Sequence, residues 1–314
     1  LKRLEARLLD DVTDALGLPS SQLTEKDFRV VEILSAIMAT ALPEGARLIF
    51  AGGTCLARAH RLVERMSEDI DLKVTIDPIP ASKTALRNAL SKVKAAVHSA
   101  IVEAGFPEPT VIAKSDNRNI SFGIHYREPA ETDGPLRPHL LVELTFSPPR
   151  LPTIRRNVMS FVHQATKQKA EIPDIECVSL DETAAEKLVS LTRRTAGDLE
   201  GTKPDARDPF LVRHIYDLHW LLRHVDRKTV LRLAHEIAAS DAEQFSKWFP
   251  GYRADPQGWT LQALAFLEQD NACRASYEIF LARMVYGDRT PFAVAFRSIS
   301  ELGINLWKEV EGDS

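Results

Sequence analysis

The stretch LIFAGGTCLARAHRLVERMSEDIDLKVTI, residues 48–76, decides how this chain is read. It opens with an apolar run, Leu48-Ile49-Phe50-Ala51, and breaks at Gly52-Gly53-Thr54. A helix of about three turns is expected next. A second run follows in which Ile70, Leu72, Val74 and Ile76 alternate with Asp69, Asp71, Lys73 and Thr75. Period-two alternation marks a half-buried strand, so the Asp69 and Asp71 carboxylates leave the same face. A Gly-rich turn between a strand end and a helix start offers backbone N–H groups to an anion. Carboxylates paired on one strand face can hold a hard cation through oxygen. An anion cradle beside a carboxylate pair is the apparatus for moving a nucleotide.

The rest of the composition sets limits on that reading. At 314 residues, 44% of them hydrophobic and 27% charged, the chain suits one large globular domain or two ordinary ones with a substantial core. Its net charge of −4 excludes a polycation that coats nucleic acid. RNA contact would have to use local patches such as Arg155-Arg156 or Arg193-Arg194. The three cysteines, Cys55, Cys177 and Cys273, are odd in number and far apart, matching neither a disulfide framework nor a zinc spacing. His60, His214 and His224 are not expected to form a metal cluster with them. No run approaches the roughly 20 apolar residues of a membrane span and no signal peptide shows at the start, so a cytoplasmic protein with no membrane partner is expected.

Outward from the central stretch, helices are expected over residues 3–16, after a cap at Thr24-Glu25-Lys26-Asp27, and over 81–104. Strands are expected at 109–114, 119–126 and 139–146, the last two joined by the polar loop REPAETDGPLRP as a hairpin with a long tip. Glu143 is the acid in the otherwise apolar strand LLVELTF and is a candidate to join Asp69 and Asp71. Pro148, Pro149 and Pro152 mark a boundary, beyond which helices dominate. Ser179 to Glu182 caps one of them, Lys187 lies on another of its faces, and a Gly/Pro/Asp loop follows over 196–209. The fold class expected is α+β: a mixed-sheet core flanked by helices (residues 1–150), then a mostly helical domain (residues 151–314).

Nucleotidyl transfer needs charge neutralisation at the α-phosphate and an in-line nucleophile, which two ions about 3.5–4 Å apart can supply. Asp69 and Asp71 are the natural bridging ligands, with Glu143 as a further metal ligand or a helper in activating the attacking hydroxyl. The Gly52, Gly53 and Thr54 amides and the Thr54 hydroxyl would hold the β/γ-phosphates. Ser67, two residues before Asp69, is a candidate for a phosphorylation off-switch, because a phosphate there adds about −1.5 to −2 charge beside the acids.

The motifs resemble the nucleotidyltransferase-type toxins of the AbiEii/MenT group, within the DNA polymerase β-like superfamily. The matches run in chain order over roughly residues 24–222: Thr24-Glu-Lys-Asp-Phe28, Phe50-Ala-Gly-Gly-Thr-Cys-Leu56, Arg65-Met-Ser-Glu-Asp-Ile-Asp-Leu72, Val142-Glu-Leu144, Ala185-Glu-Lys-Leu188 and Arg213-His-Ile-Tyr-Asp-Leu218. The resemblance implies Mg²⁺ on Asp69 and Asp71 (with Mn²⁺ as an alternative), an NTP substrate, and a helical C-terminal half whose Lys187 and Asp217 complete the site. Lys187 would bind the triphosphate and Asp217 would orient or deprotonate the acceptor. It further implies the toxin of a type IV toxin–antitoxin pair with a cognate antitoxin, some members adding nucleotides to the tRNA 3′ end. Cys55 departs from the family pattern, where small or hydroxyl residues are common.

Three rival readings stand beside this one. The acceptor could be a protein or small-molecule hydroxyl rather than tRNA. The chain could be a non-catalytic nucleotide binder. Residue by residue, Lys187 could be a solvated lysine, Asp217 could pair with Arg213 at i, i+4, and Arg58 could either reach phosphate or sit on a helix surface.

Overall fold

A computed structural model describes residues 4–126, 137, 139–201 and 208–307. Most of the REPAETDGPLRP loop and residues 202–207 therefore lie outside the described residues. The chain divides into two units, Leu1–Val178 and Ser179–Ser314.

The first unit opens with α1 (Ala6–Leu16) and α2 (Ser21–Ala39). Ser20 caps α2, one turn earlier than the Thr24 cap expected from the sequence. Thr24, Lys26 and Asp27 are instead buried inside the helix. Strand β1 (Ala46–Ala51) leads into one α-helical turn, α3 (Gly52–Thr54), and a π-helical segment, Cys55–Ala59. That helix is shorter than expected because Arg61 takes a left-handed conformation with φ of 53° and ends it.

Strand β2 (Asp69–Ile76), helix α4 (Lys83–Glu103) and strands β3 (Thr110–Lys114), β4 (Asn119–His125) and β5 (His139–Phe146) follow where the alternation places them. The sheet then continues past the expected boundary at residue 150. β6 (Ile154–Val158), a short helix α5 (Phe161–Ala165) and β7 (Ile172–Cys177) belong to the first unit, so the division comes after Val178. The seven strands run in the order β3-β4-β5-β2-β1-β7-β6. β2 is antiparallel to β1 and parallel to β5, and β7 is parallel to β1, which makes the sheet mixed.

One face of this sheet is the core. Leu48 and Phe50, Ile70, Leu72, Val74 and Ile76, and Leu140, Val142 and Leu144 pack with Val31, Leu34 and Ile37 of α2 and Leu90, Val93 and Val97 of α4. Burying the apolar parity of β1, β2 and β5 sends the other parity to the opposite face, which is what makes that face available for polar chemistry.

The second unit is helical among its described residues. It comprises α6 (Leu180–Glu200), a 3₁₀ turn (Pro209–Val212), α7 (Arg213–Leu221), α8 (Arg227–Gln244), α9 (Pro250–Ala254), α10 (Pro256–Gln269), α11 (Asn271–Met284) and α12 (Phe292–Asn305). The Ser179 hydroxyl caps α6 by accepting from Glu182 N at 3.2 Å, as its spacing predicts. The helix absorbs the first residues of the expected 196–209 loop and ends at Gly201, whose φ of 69° closes it. Among the described residues no helix is long and apolar enough to cross a membrane.

Candidate active site

Register brings three acids together. Asp71 pairs with Ala51 of β1 on one side and with Glu143 of β5 on the other, and Asp69 pairs with Leu141. Asp69, Asp71 and Glu143 therefore share one sheet face, opposite the core. Adjacent strands lie about 4.8 Å apart and alternate residues on one strand about 6.6 Å apart, so the three carboxylates are near neighbours on that face. Their oxygens do not gather within 4.8 Å of one another, as the donor atoms of Cys55, His60 and Cys177 do.

The Gly52 turn closes over the same spot. Gly52 has φ of 73°, and a Cβ there would lie 1.7 Å from Asp71 Oδ2. Only glycine lets the backbone pass that close to the carboxylate. A Cβ on Gly53 would meet Arg65 Nη2 at 2.5 Å and Ser67 Oγ at 2.8 Å. The Thr54 hydroxyl, expected to bind phosphate, is buried and donates to Asp69 O at 2.5 Å. Thr54 thus ties the turn to β2, and its hydroxyl is engaged within the fold. Hard oxygen donors on one sheet face beside a glycine turn are the donor type that suits a divalent ion, and Asp69, Asp71 and Glu143 would be the residues to hold one.

Asp69 also has a neighbour that the sequence did not reveal. Arg137 Nη1 lies 3.1 Å from Asp69 Oδ1. Arg137 is held in turn: its backbone N donates to Glu68 Oε2 at 2.9 Å, and its carbonyl accepts from Lys26 Nζ at 2.5 Å. Lys26 forms a fully buried ion pair with Glu68. Burial pulls the Lys26 ammonium below its ordinary pKa, opposed by Glu68.

Next to it, Asp27 Oδ1 pairs with Arg58 Nε at 3.0 Å while Oδ2 accepts from Phe161 N at 2.7 Å. Arg58 lies over the Phe161 ring, 3.7 Å from its centroid, so it is a buried clamp between elements rather than a phosphate-reaching arginine. Burial pushes Asp27 up to about 6, against the pull of Arg58. The motif whose spacing predicts a helix cap instead holds Glu68, next to Asp69, through Lys26, and the π-helical segment and Phe161 through Asp27. The helix also carries Glu25, Arg29 and Glu32, so nothing in its spacing sets Lys26 and Asp27 apart as the buried charges.

In the second unit, Lys187 of α6 and Asp217 of α7 meet at 2.8 Å, with side chains 10% and 0% exposed. Lys187 is therefore not a solvated surface lysine. Tyr216 is buried and donates to Asp288 O at 3.1 Å. Arg193 pairs with Asp241 at 2.7 Å under Phe245, and Arg194 pairs with Asp208 at 2.5 Å. Neither arginine is the unpaired cation that an RNA patch would use.

One group near the turn contradicts the sequence reading. Cys55, His60 and Cys177 place their donor atoms within 4.8 Å of one another. Burial pushes the Cys55 thiol well up, and burial lowers the His60 pKa so that the ring is neutral.

The family model for the AbiEii nucleotidyl transferase toxin of type IV toxin–antitoxin systems matches residues 33–300. The chain belongs to the AbiEii toxin family. It is accordingly a nucleotidyltransferase of a type IV toxin–antitoxin system, which implies an NTP substrate, a divalent metal and an antitoxin partner. Among solved structures it is similar to MenT4, a nucleotidyltransferase toxin from Mycobacterium tuberculosis H37Rv, with a TM-score of 0.51 and 17% identity over 98% of this chain and 90% of that one. At that identity the likeness concerns the fold. No curated protein matches the sequence.

Proposed function

We propose that this protein transfers a nucleoside monophosphate from an NTP to an RNA acceptor, the tRNA 3′ end, in the cytoplasm, with Mg²⁺ as the working ion and Mn²⁺ able to replace it. The observation that carries the reading is the shared face of Asp69, Asp71 and Glu143 under the Gly52 turn.

Asp69, Asp71 and Glu143 would hold the ion, which when bound neutralises charge at the α-phosphate. The Gly52, Gly53 and Thr54 amides would take the outer phosphates. The acceptor hydroxyl oxygen attacks the α-phosphorus as the bond to pyrophosphate breaks. On the family resemblance, Lys187 is assigned to the triphosphate and Asp217 to orienting the acceptor or taking its proton. A tRNA acceptor rests on that resemblance and on no charge feature of the chain.

Incubation with each α-labelled NTP, total tRNA, total protein and a divalent ion tests the reading by where the label goes. Label in tRNA is expected. Label in protein or in small molecules would replace the acceptor, and consumption of no NTP would remove the activity.

A further inference from the structure

The turn that cradles Asp71 continues into the π-helical segment Cys55–Ala59, where His60 N donates to Cys55 O at 3.0 Å. An i→i+5 bond brings residue 60, rather than residue 59, back beside residue 55. On the other side, β7 pairs Cys177 with Phe50, and Val178 N donates to Phe50 O at 2.9 Å. Two elements far apart in sequence thus bring two thiols and an imidazole to one point, with donor atoms within 4.8 Å of one another. Both sulfurs are buried, at 2% and 0% exposure for the two cysteines.

His60 Nε2 lies 3.1 Å from Val178 O. In a neutral ring held this way Nε2 carries the proton and Nδ1 keeps the lone pair. A backbone carbonyl on the second nitrogen is the usual orienting partner of a ligating histidine.

We propose that Cys55, His60 and Cys177 bind one thiophilic divalent ion of the zinc class, stapling the Gly52–Thr54 turn to β7. Sulfur and imidazole donors select such an ion over the hard cation suited to the oxygen set at Asp69, Asp71 and Glu143. Metal–sulfur bonds of about 2.3 Å and metal–nitrogen bonds of about 2.0 Å need ligand atoms roughly 3.5–3.8 Å apart. Donor atoms already within 4.8 Å of one another lie close to that spacing. Two S–H bonds break, two metal–sulfur bonds and one metal–nitrogen bond form, and two protons leave to solvent. The dication with two thiolates and a neutral imidazole carries no net charge, so the buried complex leaves no uncompensated ion. Burial, Cys177 and Asp71 all raise the Cys55 thiol and Arg156 only opposes them, so it is the bound dication that would drive off the thiol protons.

The full chain, reduced and stripped with chelator, is titrated anaerobically with Co²⁺ and then with Zn²⁺. The expected result is a thiolate-to-cobalt charge-transfer band that saturates at one ion per chain and is bleached by Zn²⁺, with a higher melting temperature. Cys177→Ser and His60→Ala should lose the band while keeping the circular dichroism of the metal-free protein. Should Cys177→Ser fail to fold, Cys55→Ser replaces it. Asp71→Asn should keep the band, which separates this site from the acid face and from the proposed transferase reading. Absence of the band in folded protein, its survival in the cysteine and histidine variants, or its loss in Asp71→Asn would each overturn the proposal. So would a Cys55–Cys177 disulfide that forms in air and, once reduced again, leaves a protein that binds no Co²⁺.

Discussion

Oδ2 of Asp71 fills the space in which any side chain on Gly52 would have to begin, 1.7 Å from its Cβ position. The backbone there is left-handed as well, with φ of 73°. Gly52→Ala therefore meets two penalties at once. The strained backbone alone costs about 1–3 kcal/mol, and displacing the Asp71 carboxylate by an ångström is expected to lower transfer by about 100-fold. Gly53→Ala meets Arg65, which is buried and donates to Met66 O, and Ser67, so it also costs stability, but it leaves the Asp71 carboxylate in place and should keep more transfer activity. Nucleotide incorporation and thermal melting of both variants check the ranking. Equal loss in the two would mean the Asp71 contact is not what matters.

Arg137 and Asp69 form a half-exposed pair, 30% and 24% exposed. Such a pair is worth no more than about 1 kcal/mol to the fold. Arg137→Ala should leave the melting temperature nearly unchanged and raise KM for the NTP several-fold, because a positive charge beside the acids is lost. An unchanged KM would make Arg137 a purely structural residue.

Lys187 and Asp217 are buried against each other, so removing either strips a buried charge of its opposite in this pair. Lys187→Met or Asp217→Leu alone should cost about 3–5 kcal/mol, and the double variant should recover part of that. Denaturant titration of the three proteins measures the coupling. Additive losses would show that the two side chains do not stabilise each other.

Much of this was legible in the sequence. The apolar run at residues 48–51 and the alternation at 69–76 and 139–146 mark the strands, and the alternation shows that Asp69 and Asp71 share a face. It does not give the register that sets Glu143 beside Asp71, because parallel pairing joins strands far apart in the chain. β6 and β7 were hidden for local reasons. Arg155-Arg156-Asn157 leaves β6 without an apolar parity, and β7 carries Pro173 and Asp174, the latter at φ of 55° beside a register shift. The roles of Lys26 and Asp27 depend on partners at Glu68 and Arg58, which spacing within one helix cannot reveal. The Cys55–His60 pairing needs a π turn that no periodicity announces.

Asp27 gives a pH dependence with a definite sign. Its folded pKa, about 6, lies above the ordinary aspartate value of 3.8 because of burial. Between those values the folded state holds more protons than the unfolded one, so this group makes stability fall as pH rises from near 4 towards 6 and level off above. The slope is at most about 1.4 kcal/mol per pH unit. Carboxyl ¹³C NMR of Asp27 should titrate near 6, and a midpoint near 4 would show that Arg58 offsets the burial in full.

Incorporation of labelled NMP into RNA by Asp71→Asn, beside the unaltered protein and across a range of Mg²⁺ and Mn²⁺ concentrations, is the most direct test. The acid-face account predicts metal-dependent labelling by the unaltered protein and none by a folded Asp71→Asn at any metal concentration. Equal labelling by the two, or labelling that survives chelation of all divalent ions, would contradict it.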